Sequence, residues 1–394
     1  MKLSWITRSV LPLALFLSGH AVFAAPRQVP RLGPTMIWSW WHADQRPAFA
    51  VGFPSNGSAV FLTRAGPMMV GSIKGPALSG FDSRKLMAAG MRWFFRKAQA
   101  PKDPFQHIAL PRALPGPHRL RPLLVPALSA ISPHGRLLAA TALDTSGPDK
   151  GREVVCIWRL DKPTAPVALP PVAIADGILS IAFSPHGRRL AIGSGNTNSG
   201  GICTIRAIPS GKRVAVKIPK CWPTGLAYLT ENSLAVLDAS RLLILRPKHS
   251  LRPFPGTALP VPQSFIAMQY LRGEGELVAT IGDPVSRPSL GAYSISSRHF
   301  LVRHLHFRHS RFWMITAIAA AAEPRHVILA LTTQTCGTVG FFCDVDTSTG
   351  RLTWRSPLMV GGCNSIAVSP DRRTALAGGA LGATLWRLPA PEQK

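Results

Sequence analysis

Apolar residues along this chain fall in short runs of strand length, separated by turn-forming clusters, and not at the three-and-four spacing of an amphipathic helix. Three segments show the arrangement most plainly: ALSAISPHGRLLAATAL (127–143), LSIAFSPHGRRLAIGSG (179–195) and NSIAVSPDRRTALAGGA (364–380). Each predicts a strand of small apolar residues, a Ser-Pro turn, a basic residue and a second apolar strand. Pro133, Pro185 and Pro370 preset φ near about −65°, and Gly135 and Gly187 can take a positive φ, so each copy reads as a tight hairpin. Weaker copies cover 49–63, 77–90, 225–238, 265–280 and 315–331.

The turns of these eight copies fall at residues 54, 82, 133, 185, 231, 273, 323 and 370. After a short first step they recur at the roughly 40–50 residues that one four-stranded propeller blade occupies. Third strands are predicted at VVCIWRL (154–160), GICTIRAI (201–208), RLLILRP (241–247), GFFCDVDT (340–347) and GATLWRL (382–388), with Gly-containing turns leading to fourth strands. The Ser-Pro-x-Gly-Arg-x-Leu-Ala run resembles the WD40-like and YVTN-type bacterial β-propeller repeats over about residues 36–390. Trp158 and Trp386 are followed by Arg and not by the Asp of true WD40 blades, and both read as core residues. The resemblance implies an all-β fold with one propeller over 35–390. Seven blades are expected, with 49–104 as one irregular blade plus a partial one; eight is the alternative. Because the chain ends on a third-type strand, TMIWSWW (35–41) is the expected partner of 382–388, which would leave no sheet edge open.

Upstream of these repeats, Lys2 and Arg8 flank the apolar run 10–18, and Val22-Phe23-Ala24 has the small-x-small spacing of a signal-peptidase site. Residues 1–24 are therefore expected to be a signal peptide, 25–34 a linker and 391–394 a tail. The run is too short for a membrane anchor, and a periplasmic or secreted monomer is expected. The 34 Gly, 37 Pro and only 16% charged residues argue against a helical bundle, while 46% hydrophobic residues argue against wholesale disorder. Lys and Arg number 45 against 18 Asp and Glu, a formal net charge of +27. Such a surface attracts acidic proteins or anionic envelope polymers bearing phosphate or carboxylate. Export argues against intracellular nucleic acid as the partner. The histidines would add charge below about pH 6 and strengthen such binding.

An oxidising compartment permits disulfides among the six cysteines. Cys156, Cys203 and Cys343 share one position of the third strand, and Cys221 and Cys363 stand just before the next repeat. Cys203–Cys221 and Cys343–Cys363 are the expected bridges between adjacent repeats. Cys156 and Cys336 remain paired or free, and Cys336–Cys343 is the competing bridge.

Catalytic motifs are absent: there is no HExxH, GxSxG or Walker A, and no CxxC or CxxCH, so no metal and no cofactor is expected. Asp344-Val345-Asp346 with Gly350 has the wrong spacing for a calcium loop. The distinctive stretch is SRHFLVRHLHFRHSRFW (297–313), with Arg298, Arg303, His304, His306, Arg308, His309 and Arg311 and no acid. Strand alternation places His304, His306 and Arg308 on one face, with Arg303, Leu305 and Phe307 opposite. It reads as a solvated outer strand, an anion-binding stripe of forked guanidinium donors, or a histidine metal pair. A non-catalytic binding scaffold is the leading function. A propeller enzyme of quinone-dependent dehydrogenase, hydrolase or lactonase type, with its site at the channel mouth, is the alternative; the predicted first strands carry almost no charged groups to build one.

Overall fold

The computed structural model describes residues 34–41, 48–53, 59–63, 66–70, 105–107, 120–122, 128–144, 153–160, 167–168, 177–196, 200–208, 212–218, 222–238, 242–245 and 251–253. Beyond these it describes 264–282, 288–297, 299–305, 313–333, 339–380 and 382–390. The expected leader, linker and tail, and the weak copy at 77–90, lie outside the described residues. Among the described residues the regular structure is all β, and no helix is long and apolar enough to cross a membrane.

The strands group into seven antiparallel sheets. In chain order, β1 (Thr35–Trp41) precedes the first sheet, which holds β2 (Ala48–Gly52), β3 (Ala59–Thr63), β4 (Gly66–Val70) and β5 (Phe105–His107). The second holds β6 (Leu120–Pro122), β7 (Ser129–Ile131), β8 (Leu137–Asp144), β9 (Glu153–Arg159) and β10 (Val167–Ala168). Here β6 and β7 share one edge of β8, meeting its two halves. The third runs β11 (Ile178–Phe183), β12 (Arg189–Asn196), β13 (Gly200–Ala207), β14 (Arg213–Ile218). The fourth runs β15 (Gly225–Thr230), β16 (Ser233–Leu237), β17 (Leu242–Leu245), β18 (Leu251–Pro253). The fifth runs β19 (Ser264–Leu271), β20 (Glu276–Gly282), β21 (Ser289–Ser294), β22 (His299–His304). The sixth holds β23 (Trp313–Ala320), β24 (His326–Thr333), β25 (Val339–Asp346), β26 (Leu352–Arg355) and β27 (Met359–Val360). The seventh joins β28 (Ser365–Val368), β29 (Thr374–Gly379) and β30 (Gly382–Arg387) to β1, with Thr35 opposite Arg387 and Trp41 opposite Gly382.

Each Ser-Pro hairpin forms two adjacent strands of its sheet, β7–β8, β11–β12 and β28–β29, because Pro and a positive-φ residue fix the reversal locally. Small residues on the strands then let sheets approach face to face. A Cβ on Gly193 would lie 2.7 Å from the Ser180 hydroxyl and 2.8 Å from the Pro223 carbonyl, and one on Gly340 would overlap the backbone of Cys363. Neighbouring first strands pack in chain order, β2 beside β7, then β11, β15, β19, β23 and β28, and β28 also packs against β2.

The apolar core is divided among the spaces between sheets. Val60 of the first sheet packs with Leu138, Cys156 and Trp158 of the second, and Val155 and Ile157 of the second pack with Phe183 and Ile192 of the third. Cys203 meets Tyr228 and Val236, and Leu237 meets Leu277 and Tyr293. Leu290 of the fifth sheet meets Leu329 and Phe341 of the sixth, and Phe342 meets Trp386 of the seventh with ring centroids 5.4 Å apart. A fully buried side chain of this size contributes about 1.5–3 kcal/mol, so each sheet depends on its neighbours for most of its stability. Trp158 and Trp386 are both core residues.

Candidate functional site

The hairpin turns set the geometry of one end of the sheets. Ser132, Ser184 and Ser369 each donate their N–H to a carbonyl five residues on, at Leu137, Arg189 and Thr374, over 2.9 Å. The same three serine hydroxyls accept the N–H of those residues at 3.0–3.1 Å. Gly135 and Gly187 take φ of 64° and 66°, and Arg372 takes the equivalent position at 57°. Ala321 and His326 frame a fourth turn with the same backbone bond at 3.2 Å, and its Arg325 sits at φ 57°.

A second bond recurs in five sheets. The residue just beyond the third strand donates its N–H to the carbonyl at the last turn position: Leu160 to Arg136, Ile208 to Arg188, Ile295 to Gly275, Thr347 to Arg325 and Leu388 to Arg373, over 2.7–3.0 Å. Four of these five equivalent positions are arginine, and all four side chains are exposed. The backbone of each arginine is thus held from two sides while its guanidinium reaches into solvent. His134, His186, Arg272 and Arg372 are exposed in the same turns.

Adjacent turns touch. The Ser184 hydroxyl donates to Glu231 Oε1 (2.8 Å), the His186 N–H to Glu231 Oε2 (3.1 Å), and Arg189 Nη1 to the Glu231 carbonyl (3.3 Å). Arg372 Nη1 donates to the Ala322 carbonyl (3.3 Å), and the Thr347 hydroxyl to Glu276 Oε2 (3.0 Å). These bonds span 42 to 71 residues in sequence, mostly one repeat.

Carboxylates at this end serve the protein's own donors. Besides Glu231 and Glu276, Asp371 accepts the Ser369 hydroxyl, which holds its pKa below the ordinary value. Burial pulls Asp346 upward, but hydrogen bonds from Ser348 and Thr349 outweigh it and leave its pKa lowered. Exposed arginines stand in these turns beside carboxylates of which Glu231, Glu276, Asp346 and Asp371 accept the protein's own donors, while Asp371 and Glu274 are also exposed.

The stripe expected at 297–313 is represented by part of its length. Arg303 is half-buried and its Nε donates to the Ser348 carbonyl at 2.8 Å, which ties the fifth sheet to the sixth. His304 is exposed, with Nδ1 2.9 Å from the Ser289 hydroxyl, and Leu305 is buried on Arg303's side of the strand. Arg298, His306, Arg308, His309 and Arg311 lie outside the described residues. The Arg and His that recur at equivalent positions are those of the turns, and the basic residue after the Ser-Pro turn in the three strongest copies was the signal for them.

The cysteines depart from expectation. Cys156, Cys203, Cys343 and Cys363 are buried free thiols, so the expected Cys343–Cys363 bridge is not formed. Cys343 packs with Leu329 and Leu331 toward the fifth sheet, whereas Cys363 packs with Phe342 and Ile366 toward the seventh, on the opposite face. Cys203 is likewise free, and its expected partner Cys221 lies outside the described residues, as does Cys336. Burial pushes the Cys156 and Cys203 thiols up to about 12 and raises those of Cys343 and Cys363, so all four are poor nucleophiles at neutral pH.

Sequence reasoning passed over a buried polar cluster in the sixth sheet. His326 Nδ1 lies 2.8 Å from Asp344 Oδ2, which also accepts the Thr353 hydroxyl, and Glu323 lies 3.5 Å from His326 Nε2. Burial works against the imidazolium, but Asp344, Glu323 and Asp346 outweigh it and raise the His326 pKa. Both faint calcium-loop carboxylates, Asp344 and Asp346, are thus engaged within the protein. Among the described residues, no group of three or more His, Cys, Asp or Glu is arranged to hold a metal ion.

The far end of the sheets differs in character. Ile202, Met314 and Leu358 are the exposed large hydrophobics among the described residues. Ile202 and Met314 lie near the starts of β13 and β23, and Leu358 precedes β27, whose Met359 pairs with Gly340 at the start of β25. All three sit away from the turns. No known protein-family profile and no characterised protein matches this sequence.

Proposed function

We propose that the protein is an exported seven-bladed β-propeller of WD40-like type that acts as a non-catalytic scaffold, binding an anionic envelope component through its turn-bearing end. Seven sheets, the packing of β28 against β2 and the sharing of one sheet by β1 and β30 support the propeller reading. The leader-like residues 1–24 support export. The observation that carries the function is the recurrence of an exposed arginine at one structurally equivalent turn position in four sheets, at Arg136, Arg188, Arg325 and Arg373. Repetition places an exposed arginine in each of four turns at the same end of their sheets, which suits a broad anionic surface better than a reaction.

The test is capture from envelope extract by purified protein at about 50 mM and 500 mM salt, spanning strong and weak screening. Wild type should retain an anionic component at low salt and release it at high salt, while a variant carrying Arg→Gln at all four positions should retain little. Equal retention by that variant would sink the assignment to this end.

A further inference from the structure

We infer that the ligand of the turn-bearing end is a linear polymer with a phosphate group at every unit, held by arginines of several sheets at once, and not a folded acidic protein or a single small anion. The inference rests on the reading of that end as an anion-binding surface and names its occupant.

Three observations carry it. The first is the chemistry of the repeated position, which is arginine in all four cases although the chain also contains lysine. A guanidinium offers two parallel N–H donors that match the oxygens of a phosphate, whereas an ammonium is a point charge. The second is spacing. The four arginines belong to four separate sheets, and each carbonyl is fixed by a bond from the third strand of its own sheet, so their separation is built into the fold. One compact anion meets one of them. A flexible chain with charge at every unit meets several, and each later contact is intramolecular.

The third observation is what the end lacks. Protein interfaces draw their affinity from apolar and aromatic anchors buried at their centre. Among the described residues, the exposed large hydrophobics Ile202, Met314 and Leu358 all sit away from the turns. The turns present small and polar residues instead: Pro133, His134 and Arg136 in one, His186 and Arg188 in the next, and Pro370, Arg372 and Arg373 in the last, where the exposed Asp371 accepts the Ser369 hydroxyl. Arg372 reaches back to the Ala322 carbonyl, so two neighbouring arginine-bearing turns are held against each other. A proline-stiffened row of this kind loses little freedom when a chain lies across it.

The experiment measures binding of the purified protein to three probes at equal salt: long-chain inorganic polyphosphate, orthophosphate, and poly-L-glutamate of the same total charge. Polyphosphate should bind at least about tenfold more tightly than either, the smallest gain expected from simultaneous contacts. Arg136→Gln, Arg188→Gln, Arg325→Gln and Arg373→Gln should each weaken it severalfold and together abolish it, with melting unchanged because the side chains are exposed. The four Arg→Lys replacements together should keep the charge but erase the preference for polyphosphate over polyglutamate. Equal affinity for polyglutamate and polyphosphate would overturn this inference and leave the broader proposal of an anion scaffold intact. Equal affinity for orthophosphate and polyphosphate would overturn the multivalent part. Failure to bind any of the three would overturn both.

Discussion

The third and sixth sheets close the same hairpin frame with different side chains and a different inner turn. In the third, Ser184 caps the hairpin with its hydroxyl, Gly187 supplies the positive φ, and Glu231 from the next sheet accepts that hydroxyl. In the sixth, Ala321 has no hydroxyl, Arg325 takes the positive φ, and His326 stands where Arg189 stands in the third. His326 turns inward to Asp344 on the third strand of its own sheet, and Thr353 holds the same carboxylate. Yet the framing backbone bonds are the same, Ser184 to Arg189 and Ala321 to His326, with Ile208 to Arg188 matched by Thr347 to Arg325. The fold therefore keeps the framing bonds and the outward arginine, while the positive φ moves from three residues after the framing position at Gly187 to four residues after it at Arg325, and the polar filling changes as well.

Breaking the sixth sheet's filling should have the larger effect. Asp344→Ala takes the carboxylate from the partly buried His326 imidazole and leaves the Thr353 hydroxyl only the residue 344 carbonyl, and should cost about 3 kcal/mol in urea unfolding, near the lower end for a broken buried pair. In the third sheet, Ser184→Ala removes a neutral cap and one link to Glu231, at about 1–2 kcal/mol. A loss at Ser184 as large as that at Asp344 would mean the two devices are not different in kind.

The comparison is sharpened by pH. The folded pKa of His326 is raised above its ordinary 6.5, so the stability it contributes is present in full below about 6.5 and is lost as pH rises through the folded value. Unfolding followed from pH 6 to 9 should show this decline, and His326→Gln should flatten it, whereas Ser184→Ala should leave the slope unchanged. The smallest effect belongs to the positive-φ positions. Gly187→Ala should cost about 1 kcal/mol, and Arg325→Gly should be neutral or stabilising by less than about 1 kcal/mol, because relief of φ strain is offset by extra freedom in the unfolded chain.

How much of this could be read from residues alone depends on how local the cause is. The three Ser-Pro hairpins were legible because the Ser-Pro pair, with a glycine in two of them, fixes the turn within five residues, and the third strands because their apolar runs end in charged or turn residues. The cysteine bridges failed for a different reason. Repeat position places Cys343 along its strand, but Cys363 lies in a connection, and its approach beside Gly340 from the opposite face has no signature in spacing. The His326–Asp344 pair depends on hairpin register across 18 residues, in a copy whose turn has neither Ser nor Gly at the usual places. The basic run at 297–313 is dense within a single window, whereas the turn arginine occurs once in each of four widely separated hairpins. A periodic feature is weaker in any one window and stronger over the whole chain.

The central claim is that the repeated turn presents one arginine in each of four sheets as a shared anion-binding surface. Hydrogen exchange of the full-length protein, with and without long-chain polyphosphate, tests it most directly. Backbone amides of 132–137, 184–189, 322–326 and 369–374 should slow together on binding while those of 339–340 and 358–360 stay unchanged. Slowing confined to the far end, or at one turn alone, would contradict the claim.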